Sequence, residues 1–320
     1  MSPAIGKVFN SLWSDINSAE TFPDSKPLLS HYTSIEVLEN ILTTNEIWFS
    51  NPLFMNDLEE LRFGLNEGAA AFNAHSGIRD ACGTEDRYTI LREGFNRSFR
   101  EFEMVHAFDT YVLCLSEHDP DDSDGLLSMW RGYGNNGNGV AIVMDTQHVN
   151  VVDVPVLILS KVSYKSPNER FSWIKAKLDE FALLLKQPGL PADGLPAAAF
   201  ALLERIKTFA LFTKHHGFRE EKEWRFAHLK QYDHANHLKG MLGYAIGKRG
   251  LEPKLKYKLA PIDGITAPDL SLEKLVHQII LGPSASHQLA ARTLERMFVQ
   301  LGRGALVERM CLSSTPFRAV

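Results

Sequence analysis

The stretch that decides the fold is residues 218–226, which read FREEKEWRF. Charged side chains occupy every second position at its centre: Glu221, Glu223 and Arg225. On an extended strand these three share one face, because alternate side chains point the same way. The other face carries Trp224 and Phe226 beside Lys222 and suits a core. We therefore predict a strand over 218–226 that gathers two carboxylates and a guanidinium within reach of one small ligand.

Apolar strands and amphipathic helices alternate irregularly around this stretch. Strands are predicted at residues 47–49, 111–115, 140–144 and 156–164. Helices are predicted at 171–186 and 198–216, and residues 275–311 predict a β-α-β ending. This order favours the α+β class, with one domain over 1–320, a strand-rich core and a helical insertion at 165–216.

The bulk composition limits the class of protein. The 320 residues carry a formal net charge of −5, which gives no general attraction to nucleic acid or an anionic membrane. Cys82, Cys114 and Cys311 are too few and too scattered for a disulfide framework or a zinc site, which favours a reducing cytoplasm. No apolar run reaches membrane-spanning length. We expect a soluble cytoplasmic protein with no membrane partner, and the sequence leaves its oligomeric state open.

Two other segments carry candidate binding residues. Residues 129–133, Met-Trp-Arg-Gly-Tyr, place two aromatic rings around Arg131 just before the glycine-rich turn at 134–139. Trp130 and Tyr133 are candidates to stack on a planar ring, and core packing is the alternative for Trp130. His31 lies where a predicted strand turns into a helix, a kind of junction that often carries functional side chains.

A nuclease pattern overlaps the charged stretch. Glu220 and Lys222 have the Glu-x-Lys spacing of metal-dependent nucleases, in which the acid binds Mg²⁺ and the lysine orients water. A nuclease is therefore the alternative function. A non-catalytic sensor or partner-binding protein is a third, in which Arg225 neutralises Glu221 and Glu223.

Several motifs resemble, in order and over nearly the whole chain, an uncharacterised bacterial family that is a domain of unknown function. They are His31-Tyr-Thr-Ser34, Trp48-Phe-Ser-Asn-Pro52, Asn56-Asp-Leu-Glu59, Cys114-Leu-Ser-Glu117, Met129-Trp-Arg-Gly-Tyr133, Glu221-Lys-Glu-Trp-Arg225, Ile279-Ile-Leu-Gly282 and Ser314-Thr-Pro-Phe-Arg318. That family is in places associated with abortive-infection or anti-phage loci. The resemblance implies a role in bacterial defence or stress without naming a reaction.

A second resemblance is to the ADP-ribosyltransferases, whose first strand often carries His-Gly-Ser/Thr before a helix. Here His31-Tyr32-Thr33 is similar, with Tyr32 in place of the glycine. In those enzymes a middle strand supplies an aromatic residue, and a late strand supplies the catalytic glutamate. Arginine-modifying members carry Glu-x-Glu on that strand, which Glu221-Lys-Glu223 resembles.

This second resemblance implies a split-sheet core similar to the ADP-ribosyltransferase fold, and an enzyme that cleaves the nicotinamide–ribose bond of NAD. A carboxylate stabilises the oxocarbenium-like ribose, and an aromatic face holds the nicotinamide. Glu223 is the implied catalytic acid, and Glu221 orients the acceptor or the ribose. The implied nucleotide-binding residues are His31, Tyr32, Thr33, Trp130, Arg131, Tyr133 and Arg225. The implied partners are a nucleotide and a protein or nucleic-acid acceptor, and no metal is implied.

Overall fold

The computed structural model describes residues 8–55, 58–149, 156–247 and 250–317. The chain divides into two compact units, each built from separate stretches of sequence. The first takes its described residues from 1–18, 51–110 and 162–218, and the second from 19–50, 111–161 and 219–320. Asn56, Asp57 and Arg318 of the quoted motifs lie outside the described residues.

Helices and strands are interspersed along the described chain. The helices are α1 (Ile35–Thr44), α2 (Leu58–Ala74), α3 (Ser76–Cys82), α4 (Glu85–Glu101), α5 (Leu127–Gly132), α6 (Pro167–Leu185), α7 (Leu195–Leu211), α8 (Leu272–Leu275) and α9 (Gln288–Gln300). The strands are β1 (Leu28–Thr33), β2 (Glu46–Ser50), β3 (Thr110–His118), β4 (Val140–Asp145), β5 (Ile158–Lys161), β6 (Ser163–Lys165), β7 (Thr213–His215), β8 (Glu223–Leu229), β9 (Leu242–Gly247), β10 (Gly250–Lys258), β11 (Val276–Leu281) and β12 (Met310–Leu312). The predicted α+β class is confirmed. None of the described helices combines the length and apolarity that crossing a bilayer requires.

The first unit is mostly helical and contains α2, α3, α4, α6 and α7, with a parallel pair of strands, β6 and β7. The predicted helices at 171–186 and 198–216 correspond to α6 and α7, but α7 ends at Leu211 and Thr213–His215 form β7 instead. These two helices pack against α2, α3 and α4. Helices α4 and α7 approach closely at Gly94, where a Cβ atom would lie 2.9 Å from the Cα atom of Pro196. Glycine therefore sets the separation of this helix pair.

A charge network joins the amino-terminal segment of this unit to α6 and α7. Asp15 accepts hydrogen bonds from Arg205 at 2.9 Å and from Trp173 at 2.8 Å, and lies 3.0 Å from the Lys177 ammonium. Burial alone would raise the pKa of Asp15, but the bonds from Trp173 and Arg205 outweigh it and lower the pKa to about 2. The carboxylate is therefore ionised at neutral pH and compensates cations that have lost most of their water.

The second unit is built on a sheet with ten strands among the described residues. The strand path is β12-β11-β4-β1-β3-β2-β10-β9, and β8 pairs with both β3 and β5. Strands β11 and β12 are parallel, whereas β1 is antiparallel to β3 and β4. Strand β4 is buried on both faces, which explains its nearly continuous apolar sequence and its place inside the sheet.

Strand β3 is the point at which the sheet branches. Its carboxyl-terminal end pairs with β1, with Ser30 opposite Ser116, and its amino-terminal end pairs with β2, with Ser50 opposite Val112. The backbone N–H of Glu117 donates to Lys222, immediately before β8. Strands β1 and β8, which carry the first and last candidate motifs, therefore both adjoin β3.

The predicted elements outside the charged stretch are largely confirmed. Strands β2, β3 and β4 lie where they were predicted, residues 156–164 divide between β5 and β6, and β11, α9 and β12 form the β-α-β ending. The prediction of a strand over all of 218–226 is wrong in its first half. Residues His216–Glu221 form a 3-10 helix, Lys222 has a φ of 44°, and β8 begins at Glu223.

Candidate functional site

The charged stretch is a turn followed by a strand, and β3 holds the turn in place. The Ser116 hydroxyl donates to the Glu221 carbonyl at 2.6 Å, and the Glu117 N–H donates to the Lys222 carbonyl at 2.8 Å. The positive φ of Lys222 turns the chain between the 3-10 helix and β8. Glu221 therefore does not share a strand face with Glu223, contrary to the prediction. Ser116 was not a candidate site residue, since its local sequence gives no sign of this support.

Glu223 and Arg225 lie on one face of β8 and form a buried ion pair. Arg225 Nε lies 2.6 Å from Glu223 Oε1, and Arg225 Nη2 lies 3.3 Å from Glu223 Oε2. Glu223 is 3% exposed and Arg225 is 5% exposed. Charges at this depth must be compensated, because neither has enough water around it. The predicted catalytic acid is thus enclosed together with a guanidinium.

Glu221 is the more accessible of the two acids, and it contacts an aromatic residue of the 129–133 motif. The Tyr133 hydroxyl donates to Glu221 Oε1 at 3.1 Å. Glu221 is half-buried, and Tyr133 is 51% exposed. The structure thereby joins side chains that are 88 residues apart in the sequence. Together they present a carboxylate and a phenol ring, which can bind a hydroxyl group and a planar ring.

Trp130 anchors the segment that carries Tyr133. Its side chain is fully buried, its ring centroid lies 4.9 Å from that of Tyr32 in an edge-on arrangement, and its Nε1–H donates to the Asp124 carbonyl at 2.8 Å. Tyr32 is also buried, and its hydroxyl accepts from the Leu126 N–H. Trp130 and Tyr32 are core residues in this structure. Tyr133 is the aromatic residue of its motif that a ligand can reach.

The glycine-rich turn brings the end of β1 against the start of β4. A Cβ atom on Gly139 would lie 2.1 Å from the Thr33 carbonyl oxygen, so this approach requires glycine. Gly137, with a φ of 79°, supplies the left-handed conformation that the turn needs. Thr33, a predicted nucleotide-binding residue, is buried beside this turn.

His31 lies on β1 and is uncharged at neutral pH. The residue keeps some exposed surface, but its ring is surrounded by protein. Burial lowers the pKa of His31 to about 4, although a hydrogen bond to the Cys114 backbone acts in the opposite direction. The neutral ring can therefore donate one hydrogen bond and accept another, but it contributes no positive charge.

Alternation along the strands separates His31 from Glu223. His31 points to the side of the sheet that Leu29 occupies, since the two are separated by one residue on β1. Leu29 and Trp224 belong to the same core cluster, so the side chains of His31 and Trp224 lie on the same side of the sheet. Glu223 is next to Trp224 on β8, so its side chain points to the opposite side. The structure thus brings Glu221 and Tyr133 together but leaves His31 and Glu223 on different faces.

Arg131 lies exposed beside the carboxyl-terminal motif. Its guanidinium carbon is 5.5 Å from the centroid of the Phe317 ring. The Ser313 and Ser314 hydroxyls donate to the Asp124 carboxylate at 3.3 and 3.1 Å. The hydrogen bond from the Ser314 backbone is the main cause of the lowered pKa of Asp124. The motif around Tyr133 and the carboxyl-terminal motif therefore form one surface.

The nuclease candidates do not lie on a strand. Glu220 belongs to the 3-10 helix, Lys222 is in the turn that follows, and both are exposed. Across the described residues, no group of three or more His, Cys, Asp and Glu side chains is placed to hold a metal ion. The geometry therefore gives the nuclease interpretation no support.

A comparison with protein families points to the same part of the chain. Residues 129–226 match the family model described as "Protein of unknown function (DUF2971)". The match covers less than half of the chain and includes both Tyr133 and the charged stretch. It supports the expected similarity to an uncharacterised domain family. No curated protein and no solved structure matches the chain.

Proposed function

We propose that the chain is an ADP-ribosyltransferase-like enzyme of a bacterial defence or stress system that cleaves NAD or a related nucleotide. The observation that carries the proposal is the hydrogen bond from Tyr133 to Glu221 at 3.1 Å. Cleavage of the nicotinamide–ribose bond uses an aromatic face for the nicotinamide and a carboxylate beside the ribose. These are the two groups that this contact places side by side.

The two acids are assigned different roles because they differ in accessibility. Glu221 is half-buried beside an exposed ring, so it is the acid that contacts the ribose. Glu223 is enclosed with Arg225, so it positions the start of β8 and the turn that carries Glu221. This assignment reverses the order of the two acids that the resemblance implies.

The reaction requires charge stabilisation at the ribose. As the C–N bond to nicotinamide breaks, its electron pair leaves with the nicotinamide nitrogen and positive charge develops on the ribose, which the Glu221 carboxylate stabilises. The oxygen of water or of an acceptor then bonds to the ribose carbon and releases its proton to a carboxylate or to solvent. Arg131 and Lys222 are exposed near these groups in sequence and suit a diphosphate.

The test is turnover by the purified full chain with NAD labelled in its adenylate part, alone and with candidate protein and RNA acceptors. We expect nicotinamide release or label transfer that falls at least about a hundredfold in Glu221→Gln, which should remain as stable as the wild type. Glu223→Gln should lose stability together with activity. Wild-type turnover no higher than that of Glu221→Gln would remove the proposal.

The buried Glu223–Arg225 pair favours a second candidate, a non-catalytic binding protein. In that case the charged stretch stabilises the fold and Glu221 has no chemical role. The same assay separates the two functions, because a binding protein releases no nicotinamide above the Glu221→Gln background.

A further inference from the structure

The second unit contains an apolar cavity on the side of the sheet opposite Glu223. Its volume is about 270 Å³, and strands β2, β3, β4, β5, β8 and β10 contribute to its wall. Phe226 lines it, whereas Glu223 and Arg225, at alternate positions of β8, point away from it. The cavity is therefore separate from the surface around Glu221 and Tyr133.

The cavity wall is mostly apolar. Leu113, Leu115 and Phe49 contribute apolar side chains from the sheet. Two threonine hydroxyls in the lining are already engaged: Thr146 donates to the Pro27 carbonyl at 2.6 Å, and Thr266 accepts from the Ile262 N–H at 2.7 Å. A space with such a wall has little affinity for water and suits a hydrocarbon.

One polar group of the lining has no partner in the described part of the chain. Tyr257 is 7% exposed, and its hydroxyl makes no hydrogen bond to a described residue. Burial raises the pKa of Tyr257, so its hydroxyl is a neutral donor. A ligand that carries an oxygen atom can accept a hydrogen bond from this hydroxyl.

A polar cavity of about 200 Å³ adjoins the apolar one. Val149 and Leu270 line both, and Phe22 in the apolar wall is followed by Lys26 in the polar wall. Lys26 forms no ion pair with a described residue, and its ammonium lies 5.9 Å from the centroid of the Phe22 ring. Lys274 shares the polar cavity, where it pairs with Asp269.

We propose that the two adjoining cavities bind a single-chain fatty acid, with its tail in the apolar cavity and its carboxylate at Lys26. A dry cavity of about 150 Å³ holds one benzene ring, so 270 Å³ accommodates roughly ten carbon atoms. The two cavities together reach the size of small-molecule sites, about 300–1,000 Å³. The free lysine selects an acid over an uncharged chain of the same length. This inference does not depend on the function proposed above.

Calorimetric titration of the full chain with decanoate and with 1-decanol tests the proposal. We expect saturable 1:1 binding of both. Leu157→Trp, which fills the cavity from a half-buried position of its wall, should abolish both. Circular dichroism and thermal unfolding establish that this variant is folded.

Lys26→Gln tests the position of the carboxylate. It should weaken decanoate binding about tenfold and leave decanol binding unchanged. Lys175→Gln, at an exposed position of α6, is the matched control and should change neither. Absence of saturable binding to the wild type, undiminished binding to a folded Leu157→Trp variant, or equal loss of both ligands in Lys26→Gln would overturn the proposal.

Discussion

Asp15 in the first unit and Glu223 in the second both pair with an arginine, but the two pairs are built differently. Asp15 is reached by cations on two helices and its side chain is 34% exposed. Glu223 pairs with Arg225 two residues along the same strand, and its side chain is 4% exposed. One pair joins distant segments, whereas the other compensates charge inside a sheet.

The burial and the pairing of an acid indicate whether it serves stability or is available to a ligand. An enclosed carboxylate that meets a guanidinium at 2.6 Å has a structural explanation already. Glu221 differs from both, since it accepts a hydrogen bond from the hydroxyl of a half-exposed tyrosine. We therefore assign a role in stability to Asp15 and Glu223, and propose ligand contact for Glu221.

The largest expected effect comes from breaking the pair in the sheet. Arg225→Met leaves the Glu223 carboxylate buried without its guanidinium, and we expect a loss of about 3–5 kcal/mol in the free energy of unfolding. Denaturant titration followed by circular dichroism measures it. The Glu223→Leu/Arg225→Met double variant should recover most of the loss, because it removes both charges.

Arg219→Met is the control for that experiment. Arg219 is exposed in the 3-10 helix before β8, so its replacement should change the free energy of unfolding by less than about 0.5 kcal/mol. If Arg225→Met were equally mild, the Glu223–Arg225 pair would not be the buried unit described here.

A smaller effect is expected in the first unit. Asp15→Asn removes the charge that compensates Arg205 and Lys177, and partial exposure of Asp15 reduces the expected cost to about 2 kcal/mol. Asp179→Asn is the matched control, since Asp179 is 58% exposed and pairs with His75 at the surface. Equal unfolding midpoints for these two variants would contradict the account.

The ionised Asp15 carboxylate predicts that the stability of the fold depends on pH. The folded-state pKa of Asp15, about 2, lies below its ordinary value of 3.8. Its stabilisation is therefore complete above pH 3.8 and is lost as the pH falls through about 2. Thermal unfolding across this range should show a shallower acid loss in Asp15→Asn than in the wild type. Parallel curves would show that Asp15 is not responsible.

The smallest effect on stability is expected at Tyr133. Tyr133→Phe removes the hydroxyl that donates to Glu221 at a half-exposed position, so the free energy of unfolding should change by less than about 0.5 kcal/mol. Nicotinamide release should nevertheless fall about tenfold, the value of one hydrogen bond to the reacting acid. Tyr244→Phe, on the exposed strand β9, should change neither quantity.

Much of the sheet could be predicted from local sequence because its strands are buried. The apolar runs of β4 and β3 report burial directly, and both strands lie where they were predicted. The composition of the two units could not be predicted in this way. Each combines stretches far apart in the chain, and no local pattern reports which distant helices will pack together.

The candidate site shows where such prediction fails. Charges alternate through residues 218–226 as they would on a strand, but the Ser116 hydroxyl and the Glu117 N–H hold Glu221 and Lys222 in a turn. These contacts come from β3 and are absent from the local pattern. Trp130 and Tyr133 are both stacking candidates in the sequence, and the packing of Tyr32 against Trp130 shows that Trp130 is the enclosed one.

The most direct test of the central claim is the affinity of the purified chain for NAD, measured by calorimetry in the wild type, Glu221→Ala and Glu220→Ala. Glu220 is the adjacent exposed acid and serves as the control. We predict that Glu221→Ala binds NAD at least about tenfold more weakly than the wild type. Glu220→Ala should change the affinity by less than about twofold. Equal affinities in all three proteins, or no NAD binding by the wild type, would contradict it.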